Sequence, residues 1–167
     1  NVAGNYSVGA SGVLNAGTGL VTFNGTTTVT IAAGGTMNLG AATVAAAATL
    51  NAPAGTMGIA GNFVINNTST FTNGGGTIAF NGTTILSGAG AKTFNNVNVT
   101  GSISAAGTVA WRIDGTLDNT GTVNFTGSTG NTSFGGTTPA LTGAGTTQFG
   151  PVVVLAAATL TTSSVFS

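Results

Sequence analysis

A long tandem repeat constrains this chain more than any other feature. Gly4-Asn5-Tyr6 recurs as Gly61-Asn62-Phe63, and Thr22-Phe23-Asn24-Gly25-Thr26-Thr27 recurs as Ala79-Phe80-Asn81-Gly82-Thr83-Thr84, both at an offset of 57 and without a gap. A third copy follows with small deletions: Gly115-Thr116-Leu117 and Phe134-Gly135-Gly136-Thr137 lie at an offset of 54 from their counterparts. Three tandem modules, residues 4–60, 61–114 and 115–167, are thus expected to form one continuous unit over 1–167. Tandem modules of this size belong to folds in which each unit buries its apolar face only against its neighbours.

Within a module the pattern is that of strands. Thr77-Ile78-Ala79-Phe80, Phe94-Asn95-Asn96-Val97-Asn98-Val99 and Val109-Ala110-Trp111-Arg112-Ile113 alternate apolar with small or polar residues, the period of a strand with one buried face. Asn-Gly, Gly-Gly and Asp-Gly pairs punctuate them and supply the positive φ that tight turns require. The Ala runs at 45–48 and 156–158 have helical propensity, but no capping residues or charged face accompany them. Dividing 57 by three gives a coil of about 19 residues, too short for a strand–helix unit. The expected fold is all-β: a parallel β-helix, or β-solenoid, of about nine coils. Phe23, Phe80 and Phe134 are repeat partners, expected to point inward and to stack along the rod. Asn24 and Asn81 occupy matching places, suited either to an Asn ladder or to a simple turn.

Composition then narrows the function. Only Lys92, Arg112, Asp114 and Asp118 are charged, 2% of the 167 residues, and there is no His or Cys. Ordinary soluble domains carry about a quarter charged residues. Two cations cannot form the basic stripe that nucleic-acid binding needs, and triads and catalytic zinc lack their residues. Glycoside chemistry needs paired carboxylates. Arg112 and Asp114 lie two apart on a strand, on one face, and are expected to form a surface ion pair. A Ca²⁺ site from Asp114, Asp118 and Asn119 falls short of six to eight oxygens. No catalytic, metal-binding or cofactor-binding residue is assigned, and the expectation is a protein that is not an enzyme and uses no cofactor. Gly74-Gly75-Gly76 lacks the Lys-Ser/Thr ending of a phosphate loop and reads as a turn. Trp111 shares parity with Val109 and Ile113 and is expected to be buried, and Lys92 to be exposed.

The longest apolar runs, Ala45 to Ala48 and Val152 to Ala158, are too short for a membrane-spanning helix. The chain opens at Asn1 without a leader-like segment, as expected of a processed form or a piece of a longer array.

The runs Gly61-Asn62-Phe63, Gly75-Gly76-Thr77-Ile78-Ala79-Phe80-Asn81-Gly82-Thr83 and Phe94-Asn95-Asn96-Val97-Asn98-Val99 resemble the Gly/Asn/Thr-rich repeats of large secreted bacterial β-helix proteins of the filamentous-haemagglutinin and autotransporter-passenger adhesin type. The resemblance implies a right-handed helix with coils of about this length, exported to the cell surface, and carries no binding residue across.

Two functions from different classes remain. The first is a non-catalytic extracellular structural protein: a subunit of a cell-surface fibre, or the stalk of an adhesin. It would assemble end to end with itself or with neighbouring repeats of a longer chain, because the terminal segment Thr159 to Phe166 offers no charge, Pro or helix to close the stack. The alternative is an ice-binding or glycan-binding solenoid, the partner being ice or a host or surface glycan. Thr26, Thr28 and Thr30 precede Thr68, Thr70 and Thr72 by 42, which is no multiple of 19, so a continuous Thr face is not expected. Asn-x-Ser/Thr sequons begin at Asn5, Asn24, Asn66, Asn67, Asn81, Asn98, Asn124 and Asn131. They would be acceptors if the source glycosylates its surface proteins.

Overall fold

The computed structural model describes residues 1–52 and 54–163. It is all-β with no helix, and its strands form three parallel sheets of eight, wound as a β-solenoid of about eight turns. One turn reads Phe63–Ile65 in the first sheet, Thr70–Asn73 in the second and Thr77–Phe80 in the third. The chain then turns through Asn81 and Gly82 and re-enters the first sheet at Thr83–Ser87. The run expected as one strand over 94–99 is two, Ala91–Phe94 and Asn96–Val99, with the corner at Asn95.

Each turn takes about 21 residues rather than 19. In the first sheet Phe23 pairs with Val44, Phe63 with Leu86, Thr83 with Ser102 and Thr122 with Thr146, so turns lengthen and shorten around that mean. The offset of 57 is not a whole number of turns. It carries a residue eight strands along the chain, or two and two-thirds turns, and so onto a different sheet. Phe23 lies in the first sheet, Phe80 in the third and Phe134 in the second. All three rings point inward and are buried, but they do not stack on one another. Asn24 and Asn81 likewise sit on different sides, the first ending a strand of the first sheet and the second in a corner. Side-chain ladders on the outside instead join Asn38 to Asn15 at 2.7 Å and Asn98 to Asp118 at 3.1 Å.

The true period is written in a glycine column. Gly19, Gly40, Gly61 and Gly82 recur once per turn of about 21 residues, and Gly101, Gly121 and Gly145 continue the line. They occupy the corner from the third sheet to the first, where from Gly40 onward another turn lies within 3 Å of the place a Cβ would take. A Cβ on Gly121 would lie 2.0 Å from the carbonyl oxygen of Gly101. The ladder of backbone bonds runs on through this corner, with Ser102 N–H donating to Gly82 at 2.8 Å and Thr122 N–H to Gly101 at 2.9 Å.

The interior is a single apolar column. Val29, Ile31, Met37, Leu39, Val44, Leu50, Met57 and Ile59 fill the first turns. Beyond them the filling is aromatic: Phe71 packs edge-on against Phe63 at 5.3 Å, Phe94 against Trp111 at 5.7 Å, and Trp111 against Phe125 at 4.5 Å. Trp111 is buried, as its parity predicts, and its Nε1–H donates to Thr132 Oγ1 at 2.7 Å. Offset or edge-on ring pairs add about 0.5–1.5 kcal/mol each to the burial itself. The Ala runs at 45–48 and 156–158 are turns.

Candidate functional site

Lys92 is the clearest departure from the sequence reading. It is 3% exposed, not a surface residue. In the strand Ala91–Phe94 it shares parity with Phe94, and its register partner Phe71 belongs to the core. Its stem therefore runs inward, in the row between Phe71 and Trp111. The ammonium turns back to the corner preceding its strand and donates to Gly88 O at 2.6 Å and Gly90 O at 2.8 Å. Burial lowers its pKa from 10.5 to about 8, because the charged form gives up water for only two carbonyls. No carboxylate forms a salt bridge with it among the described residues.

Beside it lies a surface cleft of about 270 Å³ whose walls include Gly90, Lys92, Trp111, Arg112 and Ser133. With the Lys92 ammonium committed to backbone oxygens, the polar groups at this cleft are a guanidinium and hydroxyls. Arg112 Nε–H donates to Asp114 Oδ1 at 2.6 Å, the ion pair expected from their spacing, with side chains 46% and 28% exposed. An exposed pair of this kind contributes about 0–1 kcal/mol.

Asp114, Asp118 and Asn119 do not converge. Asp114 faces Arg112. Asp118 points outward, accepting from Asn98 Nδ2 and, at 3.0 Å, from Thr142 Oγ1, so both of its oxygens serve the stack. Asn119 points inward and is buried; its Nδ2 donates to Thr146 O and Thr147 Oγ1, each at 2.8 Å. Among the described residues no three His, Cys, Asp or Glu side chains cluster as metal ligands, and no helix is long and apolar enough to cross a membrane. Of the sequon residues, Asn5, Asn67, Asn81, Asn124 and Asn131 are exposed, while Asn24, Asn66 and Asn98 are half-buried.

The outer faces are more organised than the clefts. On the second sheet Thr26 pairs with Thr49 and Thr49 with Thr70, while Thr28 pairs with Asn51 and Asn51 with Thr72. Ala91 and Thr93 extend the two rows by one more turn. The two Thr runs that seemed out of phase are thus two turns apart on one face. The expectation of a broken Thr face fails because it assumed too short a coil. The proposed partner Thr68 sits instead in a turn, at φ +64.

The two ends of the stack form a second class of surface. At the first turn Val2, Tyr6, Leu14, Val21, Phe23 and Met37 line an apolar cavity of about 130 Å³. At the last turn Val152 and Val154 continue the inward rows of Thr132 and Phe134, yet are 44% and 46% exposed. Ser164 to Ser167, within the terminal segment read as uncapped, lie outside the described residues. No family model, curated protein or solved structure matches the chain.

Proposed function

We propose that this chain is a non-catalytic structural element of an extracellular fibre or of the stalk of a surface adhesin, extended by end-to-end strand stacking. The observation that carries the reading is the state of the two ends. Core-facing side chains are left in water there, Tyr6 at 39% exposure on one side and Val152 and Val154 on the other. The strands at both ends belong to the same three parallel sheets. A strand edge above an apolar row is a surface that a further coil covers, whether it comes from a second copy or from neighbouring repeats of a longer chain, and a chain of zero net charge offers no repulsion to a like neighbour. The extracellular setting rests on the resemblance of the Gly/Asn/Thr repeats to secreted β-helix proteins.

One register matches inward with inward and outward with outward side chains over all three residues of the two strands. Strand Val152–Val154 of one copy continues onto Tyr6–Val8 of the next, so that Val152 meets Tyr6, Val154 meets Val8, and the outward Val153 meets the outward Ser7. Neighbouring parallel strands are about 4.8 Å apart, within the Cα separation a disulfide spans. The chain has no Cys of its own. The double variant Ser7→Cys/Val153→Cys should therefore give a ladder of covalent oligomers on mild oxidation, while either single variant stops at dimers. A double variant that stays monomeric on oxidation, with sedimentation showing a monomer at high concentration, overturns the reading.

A further inference from the structure

Along the second sheet, four consecutive turns present the pairs Thr26 and Thr28, Thr49 and Asn51, Thr70 and Thr72, Ala91 and Thr93 in two straight rows. These residues are exposed or half-buried on the outer face, while the alternate positions Leu50, Phe71, Lys92 and Phe94 are buried beneath them. In-register parallel pairing makes this a lattice, with points about 4.8 Å apart across strands and about 6.6 Å along them.

Three properties of the lattice point to one kind of partner. First, none of its six threonine hydroxyls bonds to another described residue. The hydroxyls of Thr36, Thr56 and Thr77 on the third sheet are likewise unbonded, but the row beside them, Asn38, Gly58, Ala79, Asn98 and Asp118, carries a charge and commits its Asn side chains to neighbouring turns. Second, no charged side chain stands in the eight positions; the first one in the rows is Arg112, paired with Thr93 beyond the last of them. Third, each threonine carries a methyl beside its hydroxyl, so the face combines polar and apolar groups at the points of a regular array.

From this we infer that the outer face of the second sheet binds the surface of ice. Ice is flat, extended, uncharged and periodic, and ions are rejected from its lattice. A neutral face whose unbonded hydroxyls stand at the points of a regular lattice, interrupted only by Asn51 and Ala91, anchors water in a matching array. A glycan asks for the opposite, a concave pocket or an aromatic platform with a few converging polar groups. The lattice has no aromatic side chain among its eight residues, and the nearby Trp111 is only 2% exposed. The inference uses the outer face alone and stands apart from the behaviour of the two ends.

The test is thermal hysteresis and inhibition of ice recrystallisation by the purified chain, with partition into a growing ice hemisphere as a direct measure of binding. The wild-type chain is expected to depress the freezing point below the melting point and to enter the ice. Thr70→Lys, at the middle of the lattice, should lose most of that activity. Thr116→Lys, a like change on the outer row of the third sheet, should keep it, with circular dichroism melts showing that both variants fold. A wild-type chain that neither shapes ice nor enters it overturns the inference. So does an equal loss in both folded variants, or glycan binding that maps to Thr70 without any effect on ice.

Discussion

The first turns and the central turns solve one packing problem in two ways. Over residues 1–60 the interior is aliphatic apart from Phe23, Met37 and Met57, and no polar side chain among the described residues is buried. Hydroxyls and amides stay outside, and no residue carries a charged side chain. From Ser69 onward the interior holds the aromatic cluster together with Asn73, Lys92, Asn119 and other buried polar groups, and all four charged residues fall between 92 and 118. Of these inward polar chains, Asn73 donates to Gly76 O and Lys92 to Gly88 O and Gly90 O at corners, and Asn119 donates to Thr146 O at the start of a strand, while the buried Thr84 hydroxyl has no partner among the described residues. Where such a side chain reaches a corner carbonyl, it satisfies a backbone acceptor that water does not reach. The first turns gain stability from segregation alone, whereas the central turns add a set of bonds specific to their own turn lengths.

Truncating repeat-equivalent rings should break the comparison most visibly. Phe80 is fully buried and meets Phe94 edge-on at 6.3 Å. Phe80→Ala should cost about 3–5 kcal/mol in chemical denaturation, the usual range for a buried ring. Phe23, its equivalent in sequence, borders the end cavity and has no ring partner among the described contacts. Phe23→Ala should cost about 1 kcal/mol less, since part of its surroundings is already empty and the aromatic contribution is absent. Equal costs would show that the two regions are packed alike.

The second test uses Lys92. Its folded pKa of about 8 lies below the ordinary 10.5, so between those values the unfolded chain binds the extra proton. Stability then rises with pH. The gain should begin near pH 8, level off above pH 10.5, and amount to roughly 3 kcal/mol at about 1.36 kcal/mol per unit. Below pH 7 the curve should be nearly flat, because the chain has two carboxylates and no His to titrate. Lys92→Met keeps the stem and removes the charge, and should abolish the alkaline gain. Denaturant midpoints across pH 3 to 10.5 measure both, and an alkaline rise that survives in Lys92→Met would sink the assignment.

Much of this architecture was legible in the sequence, and the misses have definite causes. Alternation located Thr77–Phe80 and the burial of Trp111, because a strand with one dry face records its orientation in every second residue. The coil length was hidden because the conspicuous repeat spans eight strands in a three-stranded turn. The glycine column at 19, 40, 61 and 82 held the answer, since at Gly40, Gly61 and Gly82 crowding against another turn leaves no room for a Cβ. The expectation of an exposed Lys92 fails against its parity with Phe94, which places it inside. The unpartnered Thr lattice followed the coil length into obscurity, because the two Thr runs share a face only when the turn has its true length of about 21 residues.

The smallest expected effect concerns a turn shared by both regions. Ala45 to Ala48 and Asn66 to Ser69 are successive turns of one shape, each closed by a backbone bond across it, Ala48 N–H to Ala45 O at 3.0 Å and Ser69 N–H to Asn66 O at 3.1 Å. Each places a residue with a Cβ in the left-handed region, Ala47 at φ +59 and Thr68 at φ +64. That conformation costs an L-residue about 1–2 kcal/mol, which glycine escapes. Thr68 recovers the cost: its hydroxyl donates to Asn67 O at 2.6 Å and accepts from Ala47 N–H at 3.2 Å, and its own N–H donates to Asn67 Oδ1 at 3.0 Å. Ala47 has no side chain with which to do so. Ala47→Gly should therefore stabilise the chain by about 0.5–1 kcal/mol after the entropy of a freer unfolded state is counted, whereas Thr68→Gly should bring no gain, since it removes both hydroxyl bonds. The two variants, compared by thermal melts under one condition, separate strain in the backbone from its local compensation. A destabilised Ala47→Gly would mean that this turn is held by something other than its backbone bond.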